Sequence, residues 1–592
     1  MNPRVMRKMF HGRLRFFFFS LVFLFLFSCD REQGMRPDHL RLRIIETSDV
    51  HGAIFPYDFV RDRPAGGSLA RVMTYVRQQR ADTSQYVLLV DNGDILQGQP
   101  VVYYYNFEDT LTPHICARVM NYMDYGAATV GNHDIEAGHA VYDRVRREFR
   151  FPWMAANAVR DDDKLPYFVP YTVFNIKGVK VAVLGLITPG IPKWLPPEIW
   201  SGMHFEDMIA TARKWVPQIR EKEDPDMIIG LFHAGIDPNY GGEDAATPRN
   251  ENASLLVAEQ VPGFDLVLVG HDHKVWKGKV PRPDGDSVLV LDPGSHGRYV
   301  SSALITFVKN EKGKYDIRVE GDLVPMDDMQ VDREFRERFA GDSARVMAYV
   351  SRPVARFTAP VDALDALSGA SPLMGLIHTV QLDLSGADIS FAAPLSLSTR
   401  IDTGTICVRD LFKLYRFENL LYTMRLRGSE VKDYLEYSYA RWLRTLHAPG
   451  DTLLNCRKDA RGHYRLAAPY YNFDSAAGIR YVVDVRKPAG KRVTILSMEN
   501  GAPFDPQRWY TVALNSYRGN GGGGHLTRGC HIPKDSLPSR LVHTTEKDLR
   551  YYMMHWMEEK KIISPRPRGN WKIIPEEWVK AVEESEKQLC RR

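Results

Sequence analysis

Short apolar runs alternate with longer polar or amphipathic stretches from Leu40 to about Val324. Runs of about five to eight residues rich in Val, Ile and Leu are typical of buried strands, and the intervals leave room for helices. The predicted strands are Arg43–Thr47, Tyr86–Val90, Val179–Ile187, Met227–Phe232, Asp265–Val269 and Ser287–Leu291. This pattern predicts an α/β or α+β domain built from layered sheets.

The pattern changes after this domain. A charged stretch between Asp327 and Tyr349 has helical spacing and predicts a linker helix, and the strand-like run Pro353–Phe357 opens a second region. That region contains a predicted helix from Ser429 to Leu443 and the glycine-rich loop Gly519–Gly524. The charged tail from Glu577 to Arg592 predicts a solvated terminal helix. We therefore divide the chain into a leader (residues 1–28), a tether (29–39), a first domain (40–326), a linker helix (327–350) and a second domain (351–592).

The composition and the net charge limit the class of protein to which this chain can belong. The chain has 592 residues, 44% hydrophobic and 26% charged, which excludes one small domain and is typical of an ordinary globular protein. The net charge of +5 is matched by five cations before residue 29, where there is no acid: Arg4, Arg7, Lys8, Arg13 and Arg15. The rest of the chain is therefore balanced, and its overall charge does not support a nucleic-acid-binding surface.

The first 28 residues have the pattern of a signal peptide. A basic start is followed by the apolar run Phe16–Phe27, which is shorter than the ~20 residues that span a bilayer. The sequence Leu26-Phe27-Ser28-Cys29 resembles a bacterial lipobox, which implies that Cys29 is the acylated first residue of the mature chain. We therefore expect an exported protein, anchored by lipid in the bacterial cell envelope; an incidental Cys29 is the alternative.

The other cysteines are Cys116, Cys407, Cys456, Cys530 and Cys590. They are widely scattered, odd in number and without a C-x-x-C motif. This spacing indicates neither a zinc knuckle nor a disulfide framework.

Five polar clusters each follow an apolar run in the first region. They are Asp49-Val50-His51-Gly52, Gly93-Asp94, Gly131-Asn132-His133-Asp134, His233-Ala234-Gly235 and Gly270-His271-Asp272-His273. Loops at strand ends are where such scaffolds present chemistry, and carboxylate, imidazole and amide ligands suit divalent metals such as Zn, Mn or Fe. One such cluster alone could be a cap or a turn, whereas five in one domain indicate a metal site.

The ordered set D-x-H, G-D, G-N-H-D, H and G-H-x-H resembles the calcineurin-like metallophosphoesterases. The resemblance implies a four-layered α/β/β/α fold with two divalent metal ions, Zn, Mn, Fe or Co, at one edge of a β-sandwich. It assigns Asp49, His51 and His273 to one metal, Asn132, His233 and His271 to the other, and Asp94 to both. Two such cations can share a hydroxide as nucleophile and neutralise the phosphoryl oxygens during in-line displacement.

The resemblance gives His133 and Asp134 catalytic roles. It keeps His133 off the metals, facing the phosphate or the leaving oxygen, with the neighbouring carboxylate of Asp134 orienting the ring. An imidazolium there would offset charge on the leaving oxygen. The alternative for His133 is a packing residue behind Asn132. Asp272 is interpreted as a spacer between ligands or a carboxylate behind them.

The pairing of the metal domain with a second domain, opened by a linker helix, resembles the 5′-nucleotidase family, and the resemblance covers nearly the whole mature chain. Several stretches are closer to the exported 2′,3′-cyclic-nucleotide 2′-phosphodiesterase/3′-nucleotidase branch: Arg43–Asp49, Ala387–Pro394, Tyr471–Asp474 and Asn515–Arg518. Where 5′-nucleotidases usually carry an Asn-Gly-Gly-Gly-Ile-Arg-like loop, this chain has Phe391-Ala392-Ala393-Pro394.

The resemblance also places an aromatic from each of two loops around the nucleobase. Tyr471 and Tyr517 are the candidates, with Phe473 as the rival of Tyr471; either Tyr could instead belong to the core. The glycines after Tyr517 permit close approach of the backbone to a ligand, or form a plain surface turn.

We therefore expect an exported two-metal enzyme that hydrolyses 2′,3′-cyclic nucleotides and 3′-nucleotides to nucleoside and phosphate. Its partners would be small nucleotides and, through the lipid anchor, a membrane, but not nucleic acid. The alternatives are a 5′-nucleotidase or UDP-sugar hydrolase, a thiosulfate-handling member of the superfamily, and a surface binding protein that has lost catalysis.

Overall fold

The computed structural model describes residues 36–240, 243–283, 285–458 and 464–590. The predicted signal peptide, Cys29 and the start of the predicted tether lie outside this part of the chain. Within it, no helix combines the length and the apolar character needed to cross a membrane.

Two six-stranded sheets pack face to face in the first domain. In spatial order, the first sheet contains Tyr315–Pro325, Tyr299–Lys309, His39–Thr47, Tyr86–Asp91, Ala127–Thr129 and Trp153–Met154. The second contains Val275–Pro281, Ser287–Pro293, Leu266–Val269, Met227–His233, Val179–Ile187 and Tyr171–Ile176. Alternate residues of a strand face opposite sides, so Leu42 and Ile44 of the first sheet meet Leu266 and Leu268 of the second in one core. All six strands predicted from the apolar runs are present.

Helices cover the outer face of each sheet. The helices Leu69–Ala81, Ile115–Met123 and His139–Glu148 pack on the first sheet. Met208–Glu223 and Ser254–Gln260 pack on the second. The order helices, sheet, sheet, helices confirms the predicted four-layered α/β/β/α fold. Both sheets therefore present their strand ends, and the loops that follow them, to one edge of the sandwich.

The predicted single linker helix is two helices, Arg333–Arg338 and Ala340–Val350. Asp332 caps the first by accepting a hydrogen bond from the Phe335 backbone N–H at 2.8 Å. Phe335 and Phe339 are both buried in the core of the first domain. The segment is thus interrupted at Phe339 and packed against the first domain rather than standing free between the two.

The second domain is built around a five-stranded sheet. Its order is Ser475–Ala477, Ile389–Ala392, Trp509–Asn515, Leu420–Arg427 and Leu541–Asp548. Two three-stranded sheets flank it: Gly404–Cys407, Pro353–Phe357 and Ile562–Ile563; and Val493–Met498, Ile479–Asp484 and Trp571–Ile574. Its main helices are Pro372–Ser385, Val408–Leu414, Gly428–Trp442 and Leu549–Lys560. The predicted strand at Pro353 and the predicted helix at Ser429 are both confirmed.

The terminal helix, Glu576–Cys590, differs from the prediction in its surroundings. Val579 and Val582 are buried in the core of the second domain. The Glu586 carboxylate accepts hydrogen bonds from the backbone N–H groups of Leu453 and Leu454, at 2.8 and 3.3 Å. One face of the helix is therefore packed, and the prediction of a solvated helix is wrong in that respect.

Direct contacts hold the two domains together. The Tyr103 hydroxyl of the first domain donates a hydrogen bond to Asp548 of the second at 3.1 Å. The Arg550 guanidinium lies over the Tyr103 ring, 4.8 Å from its centroid, and Arg409 forms an ion pair with Asp62. These contacts place the edge of the sandwich that carries the polar loops against the second domain.

Candidate active site

The predicted metal ligands lie in sharply turned loops at strand ends. Left-handed backbone angles occur at five of them: Asp49 (φ 49°), His51 (φ 48°), Asp94 (φ 59°), His271 (φ 87°) and His273 (φ 57°). Residues other than glycine seldom adopt such angles, and structures concentrate them at functional sites. The loops thus adopt locally unfavourable backbone angles, and these angles bring side chains from several strands together.

A glycine makes one of these close approaches possible. A Cβ atom at Gly131 would lie 2.1 Å from Asp94 Oδ1, so a larger residue there would displace the Asp94 carboxylate. Asp94 Oδ1 also accepts a hydrogen bond from the His133 backbone N–H at 2.8 Å. The Gly-Asn-His turn therefore sets the orientation of Asp94.

The first ligand group is Asp49, His51 and His273. The Nε2 atoms of His51 and His273 are 2.9 Å apart and lie 3.9 and 3.3 Å from Asp49 Oδ1. Asp49 Oδ2 is occupied, because it accepts hydrogen bonds from the Ser48 hydroxyl and the His271 backbone N–H. Three ligand atoms thus converge on one point.

The second group is Asp94, His233 and His271, with Asn132 beside them. His233 Nε2 lies 3.2 Å from both Asp94 Oδ2 and Asn132 Oδ1. Its other ring nitrogen faces the Asn92 carbonyl at 2.5 Å, the usual arrangement behind a metal-binding histidine. The structure thus brings together all seven residues to which the sequence assigned metal binding.

One carboxylate oxygen of Asp94, Oδ2, lies between the two ligand groups. Its Oδ2 is 3.2 Å from His233 Nε2 of the second group and 3.9 Å from His51 Nε2 of the first. The sequence argument assigned Asp94 to both metals, and Oδ1 is directed to the His133 backbone. Oδ2 is therefore the Asp94 oxygen that faces both ligand groups.

The donor set fits two divalent cations. Asp49 Oδ1, Asp94 Oδ2 and His271 Nδ1 are buried and have no hydrogen-bond partner within the described residues. Burial opposes the ionisation of Asp49, but the nearby His273 and the charge of His233 lower its pKa below the ordinary value. Unpartnered buried carboxylate oxygens are costly unless a cation or donor meets them, so these atoms are available as ligands.

His133 is oriented by a different carboxylate from the one predicted. Its Nδ1 pairs with the Glu136 carboxylate, three residues along the short helix Asn132–Glu136. Burial lowers the pKa of His133, but the charges of Asp94 and Glu136 outweigh it and raise the pKa to about 9. The assignment of Asp134 as the orienting group is therefore wrong. Spacing of i, i+3 on a helix is the sequence signal that would have indicated Glu136.

Asp134 instead holds the neighbouring loop. Its Oδ2 accepts from the backbone N–H groups of Gly131 and Asp94, at 2.8 and 3.0 Å. Its Oδ1 accepts from those of Ile95 and Leu96, at 2.9 and 3.0 Å. The fully buried carboxylate thus joins the Asn-His loop to the Gly-Asp loop. Its role is to position Asp94.

Two of the metal ligands, Asn132 and His271, line a large cleft of about 1320 Å³ between the domains. The first domain contributes Asn132, His133, Glu136, Trp194, Tyr240 and His271 to its wall. The second contributes Phe417, Tyr471, Tyr517 and the backbone of Gly521–Gly524. Trp194, which the sequence did not indicate, stacks on His271 with ring centroids 5.9 Å apart. A ligand in this cleft would contact both domains.

The aromatic residues predicted to hold a base separate into two environments. Tyr471 and Tyr517 line the cleft, with ring centroids 6.5 Å apart and planes at 79°. Phe473 is buried in the core of the second domain and stacks on Trp442 at 5.3 Å. The assignment of Phe473 to substrate binding is therefore wrong, because its side chain points to the opposite side of the loop from Tyr471.

A buried ion pair joins the two tyrosine loops. Arg518 Nε lies 2.7 Å from Asp474 Oδ2, and both side chains are almost fully buried. Arg518 also donates hydrogen bonds to the Tyr471 carbonyl at 3.0 Å and the Gly522 carbonyl at 2.7 Å. Two of the stretches noted in the sequence, Tyr471–Asp474 and Asn515–Arg518, thus meet in one unit that sets the relative positions of the two rings.

Comparison with known families agrees with this arrangement. Residues 42–275 match the model of the calcineurin-like phosphoesterases, and residues 353–528 match that of the 5′-nucleotidase C-terminal domain. A calcineurin-like fold, two clusters of candidate metal ligands and a nucleotidase domain define a metallophosphoesterase, a metal-dependent phosphoric ester hydrolase. The chain thus joins a calcineurin-like phosphoesterase domain to a 5′-nucleotidase C-terminal domain.

Individual relatives resemble the chain over most of its length. The trifunctional nucleotide phosphoesterase protein YfkN of Bacillus subtilis is 26% identical over 92% of this chain, which spans 39% of that protein. The 2′,3′-cyclic-nucleotide 2′-phosphodiesterase/3′-nucleotidase of Salmonella typhimurium is 24% identical over 90% of this chain and 89% of its own length. The crystal structure of a 5′-nucleotidase precursor from Thermus thermophilus matches with a TM-score of 0.61 and 22% identity, covering 90% of this chain and 100% of that one. The last similarity supports the fold.

Proposed function

We propose that this chain is an exported two-metal nucleotide phosphoesterase that hydrolyses 2′,3′-cyclic nucleotides and 3′-nucleotides to nucleoside and phosphate. One observation carries the proposal: Asn132 and His271 of the second metal-ligand group line the same interdomain cleft as the two tyrosines, and the first group lies directly beside the second. A nucleotide has a phosphate at one end and an aromatic base at the other. The cleft offers a matching site to each.

The metal ligands account for recognition of the phosphate. When bound, two divalent cations would supply Lewis-acid stabilisation to the phosphoryl oxygens. Asp49, His51 and His273 would hold one of them, and Asn132, His233 and His271 the other. Asp94, between the groups, contributes a negative charge near both. The chain's own task is to hold these ligands in place through its strained, glycine-containing loops.

His133 lines the cleft beside the ligands without belonging to either group. Since Glu136 engages Nδ1, Nε2 is the ring nitrogen left to face a substrate. A proton held on Nε2 would be given to the leaving oxygen, and the carboxylates of Glu136 and Asp94 favour the protonated ring. His133 is therefore the proposed general acid, and Glu136 its positioning residue.

Tyr471 and Tyr517 are the proposed base-binding residues. Their rings meet edge to face, so one must rotate before a base can lie between them. Stacking does not distinguish strongly between bases, because every base has a π-face. We therefore expect the enzyme to hydrolyse nucleotides with different bases.

The preference for cyclic and 3′-nucleotides is supported by the Salmonella relative, which bears that name and aligns with most of this chain. It is also supported by the segment Phe391–Pro394, which takes the place of the usual 5′-nucleotidase loop. Phe391 stacks on Tyr434 at 3.9 Å in the core, and Leu395 and Leu397 follow it on the cleft wall.

Hydrolysis of four substrates, followed by chromatography of the products, tests the proposal. Metal-loaded protein should convert 2′,3′-cyclic AMP to 3′-AMP, and 3′-AMP to adenosine and phosphate, faster than it hydrolyses 5′-AMP or splits UDP-glucose into UMP and glucose 1-phosphate, compared by kcat/KM. Preference for 5′-AMP or UDP-glucose would favour a 5′-nucleotidase or UDP-sugar hydrolase instead. No hydrolysis of any of the four would indicate a binding protein without catalysis.

Export and lipid anchoring complete the proposal. They are supported by the basic start, the apolar run Phe16–Phe27 and the lipobox-like sequence that ends at Cys29, all outside the described residues. Nucleotides outside the cytoplasm would then be the available substrates.

A further inference from the structure

One wall of the interdomain cleft is rich in positive charge. The second domain contributes five cationic side chains to the cleft: Arg441, Arg457, Arg465, Arg528 and Lys534. Among the described residues, it contributes no Asp or Glu, whereas the first domain contributes Glu136, Asp237, Glu243 and Glu251. The positive charge is therefore concentrated on the second-domain wall.

The glycine loop connects the tyrosines to these cations. A Cβ atom at Gly522 would lie 2.5 Å from Cε2 of Tyr517, and one at Gly524 would lie 2.5 Å from Arg528 Nε. Gly524 has a φ of +80°, which also favours glycine. Gly522 and Gly524 are two residues apart, a distance of at most ~7 Å along the backbone. The Arg528 side chain therefore lies close to Tyr517 on the cleft wall.

Two of the guanidinium groups lack anionic partners. The Arg528 side chain makes no hydrogen bond or ion pair in the part of the chain that the structure describes. Arg441 donates from Nη1 to the Tyr437 hydroxyl at 3.1 Å, while its buried Nε finds no acceptor among the same residues. The Tyr437 hydroxyl lies 2.8 Å from the position of a Cβ at Gly524, so both arginines border the same glycine.

Burial first, and then nearby cations, lower the pKa of two neighbouring groups. Burial, followed by the charges of Arg518, Arg441 and Arg528, lowers the pKa of His525 well below its ordinary value. Burial, followed by the charge of Lys193 in the first domain, lowers the pKa of Lys534. An anion with several oxygens would relieve this repulsion, and guanidinium groups match the geometry of phosphate.

We propose that Arg528 and Arg441 form a second anion subsite, which takes a phosphate that the nucleotide carries in addition to the one hydrolysed. The substrate class is the nucleoside 3′,5′-bisphosphates. The 3′ and 5′ positions lie on opposite sides of the ribose, so a nucleotide with its 3′-phosphate at the metal ligands directs its 5′-phosphate away from them. This inference rests on the proposed function, since it takes the 3′-phosphate to be the one hydrolysed.

Equilibrium binding of adenosine 3′,5′-bisphosphate and 3′-AMP tests the subsite. The purified full chain is kept in EDTA so that neither compound is hydrolysed, and Kd is measured by calorimetry. The bisphosphate should bind about tenfold more tightly than 3′-AMP, and Arg528→Gln should remove that advantage. Arg480→Gln is the matched control, because Arg480 is exposed on the strand Ile479–Asp484 and away from the cleft; it should keep the advantage.

Ionic strength provides a second measurement. The advantage of the bisphosphate should shrink as salt rises, because solvent screens charges in an open cleft. Equal Kd values for the two compounds in the wild type, or an advantage that survives Arg528→Gln, would overturn the subsite. Loss of the advantage in Arg480→Gln as well would also overturn it. A metal-loaded enzyme that hydrolyses neither compound would count against the proposed function and leave the binding result standing.

Discussion

Asp134 and Glu136, the two acids that follow His133 in the sequence, should cause different defects when each is replaced by its neutral amide. Glu136 pairs with the His133 ring, whereas Asp134 accepts four backbone hydrogen bonds from Gly131 and from residues 94–96. Replacement by the isosteric amide leaves the volume of each side chain almost unchanged. Asp134→Asn should therefore impair folding and metal binding, and Glu136→Gln should impair catalysis in a folded, metal-binding protein.

The magnitude for Asp134→Asn follows from its hydrogen bonds. The amide oxygen of Asn can keep two of the four donors, but the NH2 group cannot accept the other two. Hydrogen bonds to charged groups contribute about 1.5–3 kcal/mol each, so the loss of two lowers the free energy of unfolding by about 3–6 kcal/mol. That is a large fraction of the ~5–15 kcal/mol typical of a folded protein.

The magnitude for Glu136→Gln follows from its single partner. Gln can still hydrogen-bond to Nδ1 but no longer supplies the charge that favours a protonated ring. We expect kcat to fall by about 10²-fold, within the range for general acid catalysis, with KM nearly unchanged.

Urea unfolding of metal-free protein, metal content by mass spectrometry and phosphate release from 3′-AMP give the three measurements for both variants. The reasoning is refuted if Asp134→Asn loses less than about 1 kcal/mol of unfolding free energy. It is refuted equally if Asp134→Asn lowers kcat in a stable protein with full metal content, since Asp134 would then serve His133 as the sequence suggested.

Three further predictions concern the metals, the base and the anchor. Asp94→Asn should lower metal content and turnover together, because its buried Oδ2 faces both ligand groups; retention of two metals and more than about a tenth of the wild-type rate would contradict this. Tyr517→Ala should raise KM for 3′-AMP about tenfold and leave p-nitrophenyl phosphate almost unaffected, whereas Phe473→Leu should lower the melting temperature without that change in KM; equal loss on both substrates in Tyr517→Ala would exclude a base-binding role. Cys29→Ser should abolish lipid attachment, and mass spectrometry that finds an unmodified N-terminus other than Cys29 in the wild type would exclude the anchor.

Local sequence was enough to predict the strands and the polar loops that follow them. The run Val179–Ile187 is apolar except for Lys180 and matches the strand it forms, and Asp49, Asp94 and His233 each lie at or just beyond a strand end. Strand formation depends on short-range patterns of apolar residues, which the chain displays directly. The metal-ligand residues could be assigned because their loops resemble a known family in residue type and order.

Tertiary structure decided which way each side chain points and what it meets. Asp134 and Glu136 are both acids near His133, yet only their directions on the helix assign one to the backbone of residues 94–96 and the other to the ring. Tyr471 and Phe473 are two residues apart, and one lines the cleft while the other is buried.

The cations of the far cleft wall come from segments between Arg441 and Lys534, and only folding gathers them. Contacts between distant segments depend on how all the layers pack. No local pattern in the sequence indicates these contacts. The pairing of His133 with Glu136 and the cluster of cations on the cleft wall are therefore seen only in the folded molecule.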